Sequence, residues 1–389
     1  MARRRWLVPW KDSLVKPVLY HCISRVVDRK LVFGPDEKEK FRTFMRMQEN
    51  FTGCRVLAYC VMGNHWHLLL EVPPLATGGL TDAGLLERLR AIYSEAEVAL
   101  VAKELAGARA AEVGVDSGGD ATGAAGIAVG VGAAAGVSVA PRVAAIHARY
   151  TYRMHDLSEF MKTLMQRFTK WFNRTHARCG NLWEDAFKSV IVEDGVAAKT
   201  IAAYIDLNPV RAGIVKDPAD YRWSSYGEAI GGGARGNGKK ARGGLVRALR
   251  AHTGCGADAG LWSNDVAREY RRLLLAGAAA KFEEKVGRDG RSVTVRTRQG
   301  MSAREIEQAQ ANEQARQSDL PLGKMLRCRV RYFTDGAVIG SRSFVNEAFA
   351  AARERFGPRR QDGARKLRGS GAAAAGTLWS LRDLKREIS

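Results

Sequence analysis

The stretch Cys60-Val61-Met62-Gly63-Asn64-His65-Trp66-His67-Leu68-Leu69-Leu70 decides how this protein is read. Gly63-Asn64 is turn-forming, and the apolar residues on either side read as strands. The pattern predicts a hairpin of strands 54–62 and 65–72, with both histidines just past the turn. In a strand, residues i and i+2 point to one face. His65 and His67 then project side by side while Trp66 goes to the opposite face. Two neighbouring imidazoles make half of a divalent-metal site.

Working outward, Lys16 to Val27 reads as a strand and Pro35 to Asn50 as a helix with Phe41, Phe44, Met45 and Gln48 at helical spacing. From Pro73 to Arg153 the pattern dissolves, apart from a helix within Leu85 to Leu105. Ala121 to Pro141 is uncharged but dominated by Ala and Gly, and reads as a flexible insertion, not a membrane span. Leu157 to Ala177 is an amphipathic helix. Leu157, Phe160, Met161, Leu164, Phe168, Trp171 and Phe172 form its apolar face. Lys162, Arg167, Lys170 and Arg174 make the other face basic, which suits contact with phosphates. Phe187 to Glu193 reads as a strand and Val196 to Leu207 as a helix stopped by Asn208-Pro209.

The rest is less patterned. Gly231 to Gly244 reads as a linker. Met301 to Gln317 reads as a helix, Arg327 to Phe333 as a strand, and Gly340-Ser341 as the opening of a helix reaching Arg355. Arg353 to Arg368 is a block of seven cations and two acids, a candidate duplex or hairpin contact. This gives a discontinuous catalytic domain, 16–73 and 154–230. Segment 74–153 is inserted in it, 231–300 is a linker and helical region, and 301–389 is a basic nucleic-acid-binding region.

Charge narrows the substrate. Among 389 residues, 62 Lys and Arg outweigh 41 Asp and Glu, a net +21. A surplus of this size points to a polyanion, most often nucleic acid. The six cysteines form no Cys-x-x-Cys pair, which argues against a zinc ribbon and for reduced thiols in the cytoplasm. The basic start is broken at Pro9, too early for a signal peptide.

A site of two neutral imidazoles and a few oxygen ligands suits Mg²⁺ or Mn²⁺ holding a phosphate. Of the other histidines, His21 lies on a neighbouring strand within possible approach. The candidate nucleophile is Tyr204. Asn208 is four residues on, shares its helix face, and offers a carbonyl oxygen as a third ligand. From the residues alone, Tyr204 also reads as a packed helix-face tyrosine and Asn208 as a cap.

These residues together resemble the single-tyrosine transposases of the HUH endonuclease superfamily, and more narrowly the REP-associated tyrosine transposases. The resemblance is carried by Tyr20-His21-Cys22-Ile23-Ser24-Arg25, by Val61 to Leu69 with its His-Trp-His, by Phe172-Asn173-Arg174, Leu182-Trp183 and Phe187-Lys188-Ser189, and above all by Tyr204-Ile205-Asp206-Leu207-Asn208-Pro209-Val210-Arg211-Ala212-Gly213. It implies an α+β fold: a ferredoxin-like core with an antiparallel sheet flanked by helices. It also implies His65 and His67 as metal ligands, joined by Asn208, and Tyr204 cleaving and rejoining single-stranded DNA near hairpins through a 5′-phosphotyrosine. Arg25, Lys188 and Arg211 become backbone contacts beside Arg167, Lys170 and Arg174. No membrane is involved, and monomer and homodimer both stay open. Two other readings compete: a catalytically idle protein that binds hairpin DNA or RNA as a regulator, and a hydrolase using water at the same centre.

Overall fold

The computed structural model describes residues 16–74, 78–116, 141–232, 237–250, 261–278, 281–286, 292–298, 300–311, 331–334, 336–367 and 377–382. The fold opens with β1 (Val18–Arg25) and α1 (Pro35–Thr52). Pro35 sits in the first turn of α1, where a missing N–H costs nothing. Gly53, at φ 75°, ends the helix in the left-handed conformation. The hairpin of β2 (Arg55–Val61) and β3 (His65–Val72) follows, closed at its turn by Met62 N–H donating to the His65 carbonyl at 2.8 Å.

Next come α2 (Asp82–Leu89), α3 (Glu95–Asp116), α4 (Pro141–Thr151), α5 (Leu157–Thr175) and β4 (Lys188–Val192). Then follow α6 (Val196–Asp206), α7 (Asn208–Arg211), α8 (Ser225–Gly231), α9 (Asn237–Leu249) and α10 (Asn264–Gly277).

The first four strands form an antiparallel sheet in the order β2-β3-β1-β4, which is the ferredoxin-like arrangement. The α+β expectation holds. Alternation sorts the strands' side chains onto two layers. Val18, Tyr20, Cys22, Trp66, Leu68 and Leu70 pack with residues of α1 and α5, among them Phe41, Met45, Phe160 and Phe168. Leu19, Leu69, Val190 and Val192 pack with α6, α9 and α10. Later residues widen the same sheet. After the hairpin β5 (Lys281–Val286) and β6 (Ser292–Arg298), strand β7 (Gly336–Gly340) pairs parallel with β4. β8 (Arg365–Lys366) and β9 (Trp379–Arg382) complete seven strands.

Several local expectations give way. The segment after Pro73 is organised: Leu85, Leu89, Val98, Val101, Leu105, Val143 and Ile146 bury one another together with Phe51 and Met154. The single helix expected over 85–105 is two, because Ser94 and Glu97 form a reciprocal capping box that starts α3 afresh. The Ala/Gly run at 121–140 lies outside the described residues. As expected, α6 ends ahead of Asn208-Pro209, and Pro209 opens a new short helix instead of breaking the chain's course. It occupies the first turn of α7, a place proline tolerates. The strand expected at 327–333 is, over its described part, the start of a short helix, Arg331–Thr334. The helix expected from Gly340-Ser341 is Arg342–Ala351, capped by the Ser341 hydroxyl.

The linker expected over 231–244 is overturned by α9. One of its glycines serves close packing: a Cβ on Gly244 would lie 2.4 Å from the Val56 carbonyl oxygen, so only glycine lets α9 meet β2. On Gly243, the same atom would meet nothing within 4 Å. Gly244→Ala should therefore cost about 1–3 kcal/mol of stability. Gly243→Ala should gain roughly 0.5–1 kcal/mol through helix propensity. Urea midpoints of the two variants against wild type check this; equal effects would rule out the close approach.

Candidate active site

The face of the sheet under α6 gathers the candidate site residues. Register places Ile23 opposite His67 and Arg25 opposite His65, so His21, Arg25, His65 and His67 share that face. The rings of His65 and His67 lie 5.2 Å apart, and those of His21 and His67 also 5.2 Å, nearly parallel at 22°. His21 and His67 are fully buried, with His21 Nε2 3.1 Å from His67 Nδ1. His21 Nδ1 donates to the Phe333 carbonyl at 2.9 Å.

His65 is oriented from the turn. The Asn64 amide nitrogen donates to the Arg29 carbonyl at 2.7 Å, which turns its oxygen toward His65 Nδ1, also at 2.7 Å. His65 Nδ1 therefore carries the hydrogen, and Nε2 keeps its lone pair.

Burial makes these rings poor bases. It pushes His21 and His65 from the usual 6.5 down to about 4, with Arg25 adding to the effect on His65. His67 is pushed well below its ordinary value by burial first, then by its histidine neighbours and by Arg25 and Arg211. All three are neutral near pH 7, the state in which an imidazole offers a lone pair to a metal.

Tyr204 comes to this cluster from α6. Its ring lies 5.8 Å from that of His67 and 5.9 Å from that of His21, with the Phe333 ring at 4.8 Å and the Arg211 guanidinium over it at 4.7 Å. The residue is almost wholly buried. Local backbone chemistry explains the geometry of its helix. Pro209 has no N–H for the Ile205 carbonyl, and the Asn208 amide nitrogen donates there instead, at 3.2 Å. Asn208 also donates to the Tyr204 carbonyl at 3.1 Å, as does Arg211 at 3.2 Å. The Asn208 nitrogen thus has a capping role. Below, Asp206 anchors α6 by accepting from the Ser225 and Tyr270 hydroxyls at 2.7 and 2.6 Å.

The candidate DNA contacts divide. Arg25 and Lys188 are exposed on the strand ends of the histidine face, and Arg211 is at Tyr204. Arg167, Lys170 and Arg174 lie on α5, which covers the opposite face; Arg167 sits over the Phe44 ring at 5.4 Å. In the basic run, Arg360 stacks on Phe356 at 4.7 Å and Arg353 donates to the Phe356 carbonyl, so part of that charge serves the local fold. Phe333 and the closeness of His21 are what sequence reasoning did not place. His21 alone carried a signal, its position on the strand beside the pair.

With this geometry in place, comparison with known proteins is informative at one point. Residues 14–77 match the family model for IS200-like transposases, which bears out the transposase resemblance over β1 to β3. A solved structure, "Structure of the REP associates tyrosine transposase bound to a REP hairpin", is similar at 13% identity and a TM-score of 0.33, covering 68% of this chain and 98% of that one. No curated protein matches the sequence. No described helix is long and apolar enough to cross a membrane.

The histidines predict acid sensitivity. Unfolded histidines take up protons near pH 6.5, whereas His21 and His65 resist until about 4, so each withdraws stability as pH falls through that window. At pH 5 the loss is about 2 kcal/mol per ring. Asp206, raised from 3.8 to about 6, works the other way and returns roughly 1 kcal/mol. Urea unfolding should show a net loss of at least about 2–3 kcal/mol between pH 7 and pH 5, with His67, also held well below its ordinary value, adding to it. An unchanged midpoint would mean the rings are solvated.

Proposed function

We propose that this protein is a single-tyrosine DNA strand transferase that cleaves and rejoins single-stranded DNA beside hairpins, with a divalent metal held at the histidine pair. The observation that carries this reading is the meeting of Tyr204, brought by α6, with His67, the buried member of the neutral pair of β3. The transposase match over 14–77 and the net charge of +21 support DNA as the substrate.

Two neutral imidazoles are donors that Mn²⁺ or Mg²⁺ accepts, with phosphate oxygens completing the shell and the Asn208 oxygen as the candidate third protein ligand. When bound, the ion supplies Lewis-acid polarisation of the scissile phosphate. The protein's own residues do the rest. Arg25 and Lys188 hold the DNA backbone along the strand ends. Arg211, over the Tyr204 ring, favours negative charge developing on the phenol oxygen. Tyr204 attacks phosphorus, and its proton passes through solvent to the departing 3′ oxygen. The bond to the 3′ oxygen breaks, leaving a 3′-hydroxyl and a 5′-phosphotyrosine whose energy is kept for rejoining. Tyr204 packs against His67 within the chain, which supports a nucleophile and metal pair drawn from one protomer.

Incubating the protein with hairpin-bearing single-stranded DNA and Mn²⁺ should give a covalent adduct on a denaturing gel. Tyr204→Phe should abolish it, and His67→Ala should reduce it at least 100-fold. Cleavage that persists without an adduct in Tyr204→Phe would indicate a water-using hydrolase. Tight hairpin binding with no cleavage in wild type would indicate a regulator.

A further inference from the structure

His21 lies at the bottom of the site, fully buried, between a backbone carbonyl and His67. A carbonyl oxygen only accepts hydrogen bonds, so His21 Nδ1, 2.9 Å from the Phe333 oxygen, carries a hydrogen. In a neutral ring, Nε2 then bears only a lone pair. That lone pair faces His67 Nδ1 at 3.1 Å. The contact is a hydrogen bond only if His67 Nδ1 is the donor. His67 is thereby held with its hydrogen on Nδ1 and its lone pair on Nε2.

We propose that His21 is a positioning residue that fixes the tautomer and ring orientation of His67, so that His67 presents Nε2 to a divalent cation. The relay runs from the Phe333 carbonyl through both nitrogens of His21 to His67. His65 is held in the same tautomer by a separate device, the Asn64 amide oriented by the Arg29 carbonyl. Both histidines of the pair thus owe their presentation to a main-chain carbonyl one residue removed. One of those carbonyls belongs to the C-terminal part of the protein, which ties that region to the site. Groups that orient a ligating histidine through its other nitrogen typically govern metal affinity about 10–100-fold.

The proposal rests on the metal-site reading above, and the test separates the two. In metal-free protein, long-range ¹H–¹⁵N correlation of the imidazoles should show the His67 hydrogen on Nδ1. His21→Leu, which keeps the volume but removes the acceptor, should lose that preference. Mn²⁺ binding, followed by the free-ion EPR signal without DNA, should weaken about 10–100-fold in His21→Leu. His21→Gln, whose amide oxygen can reach the same place, should recover most of it. A wild-type His67 with its hydrogen on Nε2 overturns the proposal without any variant. So does a folded His21→Leu that binds Mn²⁺ as wild type does. Wild type that binds no Mn²⁺ while His67 keeps its hydrogen on Nδ1 overturns the metal site instead and leaves the relay standing.

Discussion

The pairing register of β1 with β3 underlies everything at the site. With Ile23 opposite His67 and Arg25 opposite His65, the three histidines and Arg25 share the face under α6, and Trp66 and Cys22 enter the opposite core. Strand side chains alternate, so a slip of one residue would send the histidines into the layer of α1 and α5. There they would displace apolar side chains packed with Phe41 and Phe168. The register is held by burial on both faces. Each face has its own apolar set, and neither set tolerates the other's residues.

Burial then sets the chemistry. Three imidazoles packed together cannot be charged at neutral pH, because each would lose solvation and repel the next. The same burial that weakens them as bases prepares them as lone-pair donors. It also costs stability in acid, which the core must offset. Two large apolar layers do that, one on each side of the sheet.

The C-terminal region takes part in the same network of contacts. Its strand β7 extends the sheet from β4, and Phe333, just before it, covers the Tyr204 ring and supplies the carbonyl that holds His21. The region read from its charge as a nucleic-acid tail is also part of the wall of the site. Arginines within it direct some of their donors to nearby backbone carbonyls.

Much of this was readable from local pattern. The turn at Gly63-Asn64, the period-two strands, the amphipathic α5 and the Tyr204-to-Asn208 spacing are short-range features, fixed by residues a few positions apart. The segment after Pro73 and Gly244 of α9 escape a local reading for the same reason. A glycine's meaning depends on what approaches it, and at Gly244 that is the backbone of β2, far away in sequence. Local sequence settles which residue types face the same way along each strand and helix. Folding alone brings the Phe333 carbonyl to His21, His21 to His67, and Tyr204 against both. Hydrogen bonds and ring contacts act over a few ångströms through space, and no spacing of residues in the sequence encodes them.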